Sequence, residues 1–199
     1  HGTNRRQRQM CIRDRAPADT GLVFVREDVE GDNLINAHIK YISNTDRGTN
    51  LDNGVFRIHT SEHVLAAITG LEIDNCFICL DGPEVPIMDG SSKFFINALE
   101  EAKIVEQNVL REEFFPSEPI SYVCEDSGSK ISILPDDNYK VNTIVDYTTK
   151  VLGEQEASIN HISEFKEEFS NARTFSFLHE LETLLENGLI KGGDLNNAI

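Results

Sequence analysis

Residues 59–90 have the sequence HTSEHVLAAITGLEIDNCFICLDGPEVPIMDG, and this stretch is the starting point for the fold. Apolar side chains recur at helical spacing, which predicts a short helix that begins near Ser61 and ends at Gly70. Thr60 is the predicted N-cap of this helix. The apolar run IDNCFICL predicts a buried strand, and the Asp, Pro and Gly residues after it predict a pair of tight turns. The predicted apolar face of the helix consists of Val64, Leu65, Ile68 and Leu71.

A glutamate and a histidine, Glu62 and His63, are adjacent at the start of the predicted helix. Hydrolysis by zinc enzymes needs both groups close together, because an imidazole holds the metal while a carboxylate moves the proton. His63 falls off the apolar face, so it can point into a cleft. The helix dipole favours an ionised carboxylate at Glu62. The dipeptide alone is weak evidence for a zinc site, since most Glu-His pairs are exposed to water.

Composition narrows the possible classes of protein. The chain has 199 residues, 39% of them hydrophobic, and a formal net charge of −16. Such a charge repels phosphate backbones, so nucleic-acid binding is not expected as a main role. No apolar run has the length of a membrane span, so no transmembrane segment is expected.

Two of the four cysteines, Cys76 and Cys79, form a CxxC motif within the predicted strand. A redox or zinc-binding pair is the functional alternative. Residues three apart on a strand point to opposite faces, which favours two buried, reduced thiols instead. Reduced cysteines are typical of a cytoplasmic protein.

Two blocks of strands, each followed by helical segments, predict an α+β fold. In the first block, strands are predicted in GLVFVRED, NAHIKYIS and VFRIHT, with a hairpin turn at Asn53-Gly54. A second helix, capped by Ser91 or Ser92, follows residue 90. Its predicted apolar side consists of Phe94, Phe95, Ala98, Leu99 and Ala102.

The stretch EEFFPSEP at residues 112–119 predicts a domain junction. Beyond it, strands are predicted in ISYVCED, SKISILP and KVNTIVDYT. A helix is predicted in ISEFKEEFSNA, strand-like chain in RTFSF and an amphipathic helix in LHELETLLENG.

Residues 59–91 as a whole, including the loop DGPEVPIMDGS, resemble the zinc-dependent UDP-3-O-acyl-N-acetylglucosamine deacetylases, which act early in lipid A synthesis. The resemblance covers residues 16–199. It looks most like the Bacteroidetes-type members of the family, on the segments ILPDDNYK, VLGEQEASINHISEFKEEF, ARTFSFLHELE and GLIKGGDLNNAI. Such members are often fused to a 3-hydroxyacyl-ACP dehydratase, none of which is present in the chain.

The resemblance implies two similar α+β domains that form a sandwich, with helices packed between the sheets. Residues 16–115 would form the first domain, and residues 116–199 an incomplete second one. Residues 1–15 are expected to lie outside the resemblance. A disordered basic tail and an anion-binding arm are alternatives for them, and an artefact of cloning or assembly is favoured.

The implied reaction is hydrolysis of the N-acetyl group of UDP-3-O-[(3R)-3-hydroxyacyl]-N-acetylglucosamine, which releases acetate in the committed step of lipid A synthesis. Glu62 matches the general base of the family and His63 a ligand of its Zn²⁺. Thr174 matches a threonine that donates a hydrogen bond to the oxyanion, although a strand threonine is the alternative. The other zinc ligands and the catalytic acid are expected beyond residue 199, so this chain alone is expected to be inactive. His161 and His179 lie outside the matching motifs and are not expected to bind zinc.

Further resemblance concerns substrate binding. Tyr147 matches an aromatic position near the sugar. A tunnel for the fatty acyl chain is implied for Phe175, Leu178, Leu181 and Ile190, whose helical spacing alone would predict core packing. A non-catalytic module that binds the acyl-UDP-sugar or a partner protein is the alternative function. A zinc peptidase is disfavoured because no HExxH motif occurs.

Overall fold

The computed structural model describes residues 10–11, 16–45, 48–111, 113–147 and 149–177, with the backbone alone for residues 10–11. The expected α+β class is confirmed. The strands are β1 Met10–Cys11, β2 Leu22–Arg26, β3 Leu34–Asn36, β4 Ile42–Asn44, β5 Asn50–Asp52, β6 Arg57–Ile58, β7 Cys76–Leu80, β8 Ile120–Val123, β9 Lys130–Ile133, β10 Val141–Asp146 and β11 Glu154–Ile159. The α-helices are α1 Glu62–Gly70 and α2 Lys93–Glu101. Two 3-10 turns, Ile39–Tyr41 and Ile162–Glu164, and a π-helical turn, Phe165–Phe169, complete the described elements.

The main sheet has the strand order β1-β7-β2-β3. Strands β2 and β7 are parallel, with Phe24 opposite Ile78, while the two outer pairs are antiparallel. A parallel pair needs a long crossover connection, and α1 lies in it directly before β7. The order of the chain therefore places α1 beside the main sheet. Strands β4, β5 and β6 form a second, three-stranded sheet.

The hydrophobic core lies between the main sheet and the two helices. Phe24 and Ile78 contribute to it from the sheet, Val64 and Ile68 from α1, and Phe95 from α2. Of the predicted face of α1, Val64 and Ile68 are buried, while Leu65 and Leu71 are partly buried and pack against the core. Neither α-helix of the described part is long and apolar enough to cross a membrane.

The predicted apolar side of α2 is partly wrong. Phe95 and Leu99 are buried as expected, but Phe94 is 47% exposed, and Ala98 and Ala102 are exposed. Ile96 is buried in their place. A helix that packs against one neighbour buries a stripe at spacings of three and four residues, and residues 95, 96 and 99 form that stripe.

The predicted N-cap of α1 is also wrong. The N-cap is Ser61, and its hydroxyl donates to the carbonyl of Thr49 at 2.8 Å instead of capping the helix. Thr60 has a φ of +59°, a left-handed conformation that is costly for a β-branched residue. The chain thus enters α1 through a strained residue that is held by its neighbours.

Several predicted strands differ from the structure. The segment NAHIKYIS is divided between β3 and β4 by a 3-10 turn, at which the His38 side chain accepts a hydrogen bond from the N–H of Lys40. RTFSF is irregular, and ISEFKEEFSNA forms the second 3-10 turn and the π-helical turn instead of an α-helix. β11 was not predicted. Nor was β1, which pairs with β7.

The second block forms two antiparallel hairpins, β8-β9 and β10-β11. Every residue of β8 and β9 is exposed. Residues 113–119 contain no helix or strand, as a junction would require. The division into two similar domains stays a prediction.

One segment of the second block, residues 162–174, packs against the first block. Phe165 is partly buried against the core at the end of α1. Lys166 forms an ion pair with Glu100 of α2 at 2.7 Å. A Cβ added at Gly70 would lie 2.2 Å from Cδ1 of Phe165, so only glycine leaves room for this ring.

Substitution of Gly70 by alanine is therefore expected to destabilise the protein by roughly 1–3 kcal/mol, the usual cost of overpacking. In a Phe165→Ala background the same change is expected to be neutral or stabilising, because alanine is the better helix former. Urea unfolding of the four proteins in this double-mutant cycle measures the difference. An equal cost of Gly70→Ala in both backgrounds would contradict the proposed contact.

Candidate active site

Glu62 is the first residue of α1, and its carboxylate is held by the backbone of a preceding loop. The N–H of Thr49 donates a hydrogen bond to Glu62 Oε2 at 2.8 Å. A Cβ added at Gly48 would lie 3.3 Å from Glu62 Oε1, so the loop approaches the carboxylate closely on this side. Neither loop residue could be assigned to the site from the sequence, because no short-range pattern relates Gly48 or Thr49 to Glu62.

The His63 imidazole lies beside this carboxylate, with Nε2 at 3.9 Å from Glu62 Oε1. The His63 side chain is 17% exposed and that of Glu62 35%. The pair is therefore partly shielded yet accessible to water. One carboxylate oxygen accepts from the loop backbone, and the other faces the imidazole.

A second histidine, His59, lies shortly before α1 and was also missed. Its Nδ1 is 2.9 Å from Oδ1 of Asn50, which is itself buried. The backbone of His59 pairs with the loop after β7, donating to the carbonyl of Pro83 and accepting from the N–H of Val85. These contacts fix the 81–90 loop against the chain that leads into α1.

The end of that loop turns tightly, as its composition predicts. Met88 has a φ of +53° and Gly90 a φ of +83°, and the N–H of Gly90 donates to the carbonyl of Ile87. The Asp89 carboxylate accepts from both the N–H and the hydroxyl of Ser91. In this structure the Asp89 carboxylate therefore stabilises the turn.

Thr174 lies against this loop. Its N–H donates to the carbonyl of Gly90 at 2.8 Å, and Arg173 Nε donates to the carbonyl of Asp89 at 2.7 Å. The Ser92 hydroxyl donates to the carbonyl of His63 at 3.0 Å. The loop at residues 89–92 is thus hydrogen-bonded both to α1 and to the segment that carries Thr174, whose side chain is exposed.

Tyr147 and Phe175, both predicted to bind substrate, are in contact in the structure. Their ring centroids are 5.7 Å apart, and Phe177 completes an aromatic cluster at 5.4 Å from Phe175. The cluster lines a cavity of about 500 Å³ together with Thr149, Val151, Leu152 and Gln155. Phe177 was not singled out from the sequence, although its alternation with Phe175 was a usable signal.

The other residues considered from the sequence are His161 and four that the structure does not describe. Leu178, His179, Leu181 and Ile190 lie outside the described residues. His161 caps the 3-10 turn, and its Nδ1 lies 2.7 Å from the Ser163 hydroxyl. Across the described ranges no group of three or more His, Cys, Asp or Glu side chains is arranged to hold a metal ion. Among the described residues, the candidate pair for binding Zn²⁺ is the His63 imidazole with the Glu62 carboxylate beside it.

A larger open groove of about 1320 Å³ lies between residues 16–21, 71–76 and 99–113. None of the predicted site residues lines it. Arg111 crosses this region and pairs with Glu72 and Asp74, which raises the pKa of its guanidinium. Size alone would select this groove, but Arg111, Asp74 and Glu72 are already engaged with one another, so the groove is the weaker candidate.

The CxxC motif is not a second site. Cys76 and Cys79 are buried with reduced thiols, and Cys76 packs in the core. Burial, reinforced by the neighbouring Cys79, raises the pKa of the Cys76 thiol to about 11. A thiol with so high a pKa is a poor nucleophile and a poor metal ligand at neutral pH.

Comparison with known proteins identifies one family. The family model described as LpxC: UDP-3-O-acyl N-acetylglycosamine deacetylase matches residues 4–199. The match thus begins earlier than Ala16, where the motifs had placed the start of the resemblance.

Individual relatives agree with the family model. A bifunctional enzyme LpxC/FabZ from Bacteroides thetaiotaomicron is 39% identical over 184 residues, which cover 92% of this chain and 40% of that protein. The bifunctional LpxC/FabZ of Chlorobaculum tepidum is 42% identical over 185 residues, with the same coverage. A UDP-3-O-acyl-N-acetylglucosamine deacetylase from Acidithiobacillus ferrooxidans is 38% identical over 187 residues, 92% of this chain and 61% of that protein. The chain therefore spans between about two fifths and three fifths of the length of these relatives.

The environments of the thiols predict a clear order of alkylation. Hydrogen bonds from the Ser127 hydroxyl and from nearby backbone N–H groups lower the pKa of Cys124. Cys124 is expected to react with iodoacetamide in the folded protein at neutral pH, whereas Cys76 and Cys79 react only after unfolding. Peptide mass spectrometry after timed alkylation measures the order, with Ser127→Ala as a control that should slow Cys124. Rapid labelling of Cys76 in the folded protein would contradict the buried assignment.

Proposed function

The chain belongs to the LpxC family, and on that premise we propose that its protein hydrolyses the N-acetyl group of a UDP-3-O-acyl-N-acetylglucosamine and releases acetate. One geometric observation carries the proposal beyond the family name. The Glu62 carboxylate is fixed by the Thr49 N–H at the start of α1, with the His63 imidazole 3.9 Å away. A fixed carboxylate beside an imidazole is the arrangement that metal-assisted amide hydrolysis requires.

Glu62 is the proposed general base. Its Oε2 accepts the hydrogen bond from Thr49, so Oε1 is the atom that takes the proton from the attacking water. The exposure of the side chain, about one third, lets water approach this oxygen. The close approach of the loop at Gly48 restricts the carboxylate to few conformations, which favours a constant geometry for proton transfer.

His63 is the proposed ligand for Zn²⁺, and its partly shielded ring beside a carboxylate is compatible with that role. When bound, zinc would acidify water and polarise the amide carbonyl. A catalytic zinc ion takes three protein ligands in most enzymes. We place the other two ligands, and the acid that protonates the leaving amine, outside the described residues.

Thr174 is the proposed donor to the oxyanion that forms when water attacks the amide. Its hydroxyl is on an exposed side chain, and its backbone is tied to Gly90 in the loop that also contacts the backbone of His63. A donor held in advance where negative charge develops lowers the barrier without reorganisation during the reaction.

The aromatic cluster is the proposed site for part of the substrate. Tyr147 would contact the sugar with the face or edge of its ring. Phe175, together with Leu178, Leu181 and Ile190, would accommodate the fatty acyl chain. The contact between Tyr147 and Phe175 supports this arrangement, because the sugar and its 3-O-acyl group are covalently joined and must lie side by side.

Two broader features are proposed on the same basis. The LpxC/FabZ relatives are named as bifunctional enzymes, so the full gene product is proposed to include a 3-hydroxyacyl-ACP dehydratase as well. The reduced, buried cysteines favour a cytoplasmic location, where thiols stay reduced.

Glu62→Gln in the full gene product is expected to keep zinc and to lower kcat by roughly 10²–10⁴-fold, the usual contribution of a general base. An acetate-release assay on the acyl-UDP-sugar, with zinc content measured in parallel, checks both expectations. Glu84→Gln, a change at the loop paired with His59, is the matched control and should keep kcat. A Glu62→Gln variant with wild-type kcat would refute the base assignment. Substrate binding without turnover by the wild-type protein would favour a non-catalytic binding module.

The 199-residue chain by itself is expected to bind zinc weakly and to be inactive, because a single imidazole with water ligands holds zinc poorly. Dialysis against a weak chelator followed by elemental mass spectrometry measures retained zinc, and the full gene product is the positive control. Stoichiometric zinc and acetate release by the 199-residue chain would mean that residues such as His161 or His179 complete the site.

A further inference from the structure

Ser92 occupies the N-cap position of α2, yet its hydroxyl makes no capping hydrogen bond. Serine at this position ordinarily accepts from a backbone N–H of the first helical turn. Here the hydroxyl instead donates to the carbonyl of His63 at 3.0 Å, across 29 positions of sequence. Ser92 is 6% exposed, so water does not readily replace this contact.

The backbone of Ser92 makes a second long-range contact. Its N–H donates to the carbonyl of Ser170 at 3.1 Å, and Ser170 is 4% exposed. Thr174 lies four residues after Ser170, and its N–H donates to the carbonyl of Gly90, two residues before Ser92. The short stretch from Gly90 to Ser92 therefore holds the segment that carries Thr174 at two points.

From these contacts we propose that Ser92 is a positioning residue that sets the placement of His63 relative to Thr174. The inference rests on the proposed deacetylase function, in which the zinc held by His63 would polarise the amide carbonyl and Thr174 would donate to the oxyanion formed from it. Ser92 contacts the backbone of His63 through its hydroxyl, and the backbone of Ser170, four residues before Thr174, through its N–H. It needs no contact with substrate to do so.

The neighbouring serine gives a matched comparison. Ser91 is fully buried, but its hydroxyl donates to Asp89 and accepts from the N–H of Lys93, so its side-chain contacts stay within the loop and the first turn of α2. Loss of this hydroxyl removes a local cap without touching His63. Loss of the Ser92 hydroxyl removes the link to His63 and leaves the local cap in place.

The test uses the full gene product with Ser92→Ala, Ser91→Ala and Ser92→Thr. Ser92→Ala is expected to lower kcat roughly tenfold, the usual loss when a residue that orients a metal ligand is removed. KM should stay within about twofold of wild type, because no substrate contact is lost. Ser92→Thr, which keeps the hydroxyl, should restore most of kcat. Ser91→Ala should keep kcat within about twofold.

Hydrogen exchange followed by mass spectrometry provides a readout that does not depend on turnover. Ser92→Ala removes the hydroxyl link to His63 but keeps the backbone contact with Ser170, so it should raise exchange in peptides that cover residues 62–67. Ser91→Ala should raise exchange only around residues 89–96. Wild-type kcat in Ser92→Ala, or equal losses of kcat in the two alanine variants, would overturn the proposal.

The two proposals can fail separately. If the wild-type protein releases no acetate, the proposed function fails, and the exchange measurement still decides whether the Ser92 hydroxyl holds the start of α1. If Ser92→Ala raised exchange only in residues 89–96, the positioning role would be overturned even in an active deacetylase.

Discussion

The position at which α1 begins is the constraint on which the candidate site depends. A helix of nine residues is not stable alone in water, so packing must hold it in place. Val64 and Ile68 bury one side of it against the core. At its start, the hydroxyl and N–H of Ser61 both donate to the carbonyl of Thr49, and the N–H of Thr49 donates in return to Glu62. These three hydrogen bonds hold the start of α1 against the loop, and the start of α1 carries both the carboxylate and the imidazole.

The local part of this arrangement could be predicted from the sequence, and the long-range part could not. The adjacency of Glu62 and His63 and the apolar spacing behind them are properties of a single short segment. The contacts of Thr49 and Ser92 with that segment depend on chain folding, and neither residue type is distinctive by itself. Ser91 or Ser92 was expected to cap α2, because a serine before a helix ordinarily does so. The competing hydrogen bond from the Ser92 hydroxyl to His63 is visible only in three dimensions.

The errors in the predicted fold have related causes. The predicted apolar side of α2 included exposed residues and omitted the buried Ile96, because a sequence does not show which side of a helix its neighbours cover. β1 is only two residues long and is defined by its pairing with β7, which leaves no periodic pattern to detect. Strands β8 and β10 were found because they alternate between side-chain types, whereas RTFSF has strand-like residues but no partner strand in the described part of the chain.

In the proposed reaction, water activated beside Glu62 attacks the N-acetyl group of the acyl-UDP-sugar. The most direct test incubates the full gene product with this substrate in water labelled with heavy oxygen and analyses the released acetate by mass spectrometry. Each acetate formed by the wild-type protein is expected to contain one heavy oxygen atom, and Glu62→Gln is expected to form labelled acetate at least about 100-fold more slowly. Release of unlabelled acetate, or transfer of the acetyl group to another acceptor, would contradict the proposed reaction.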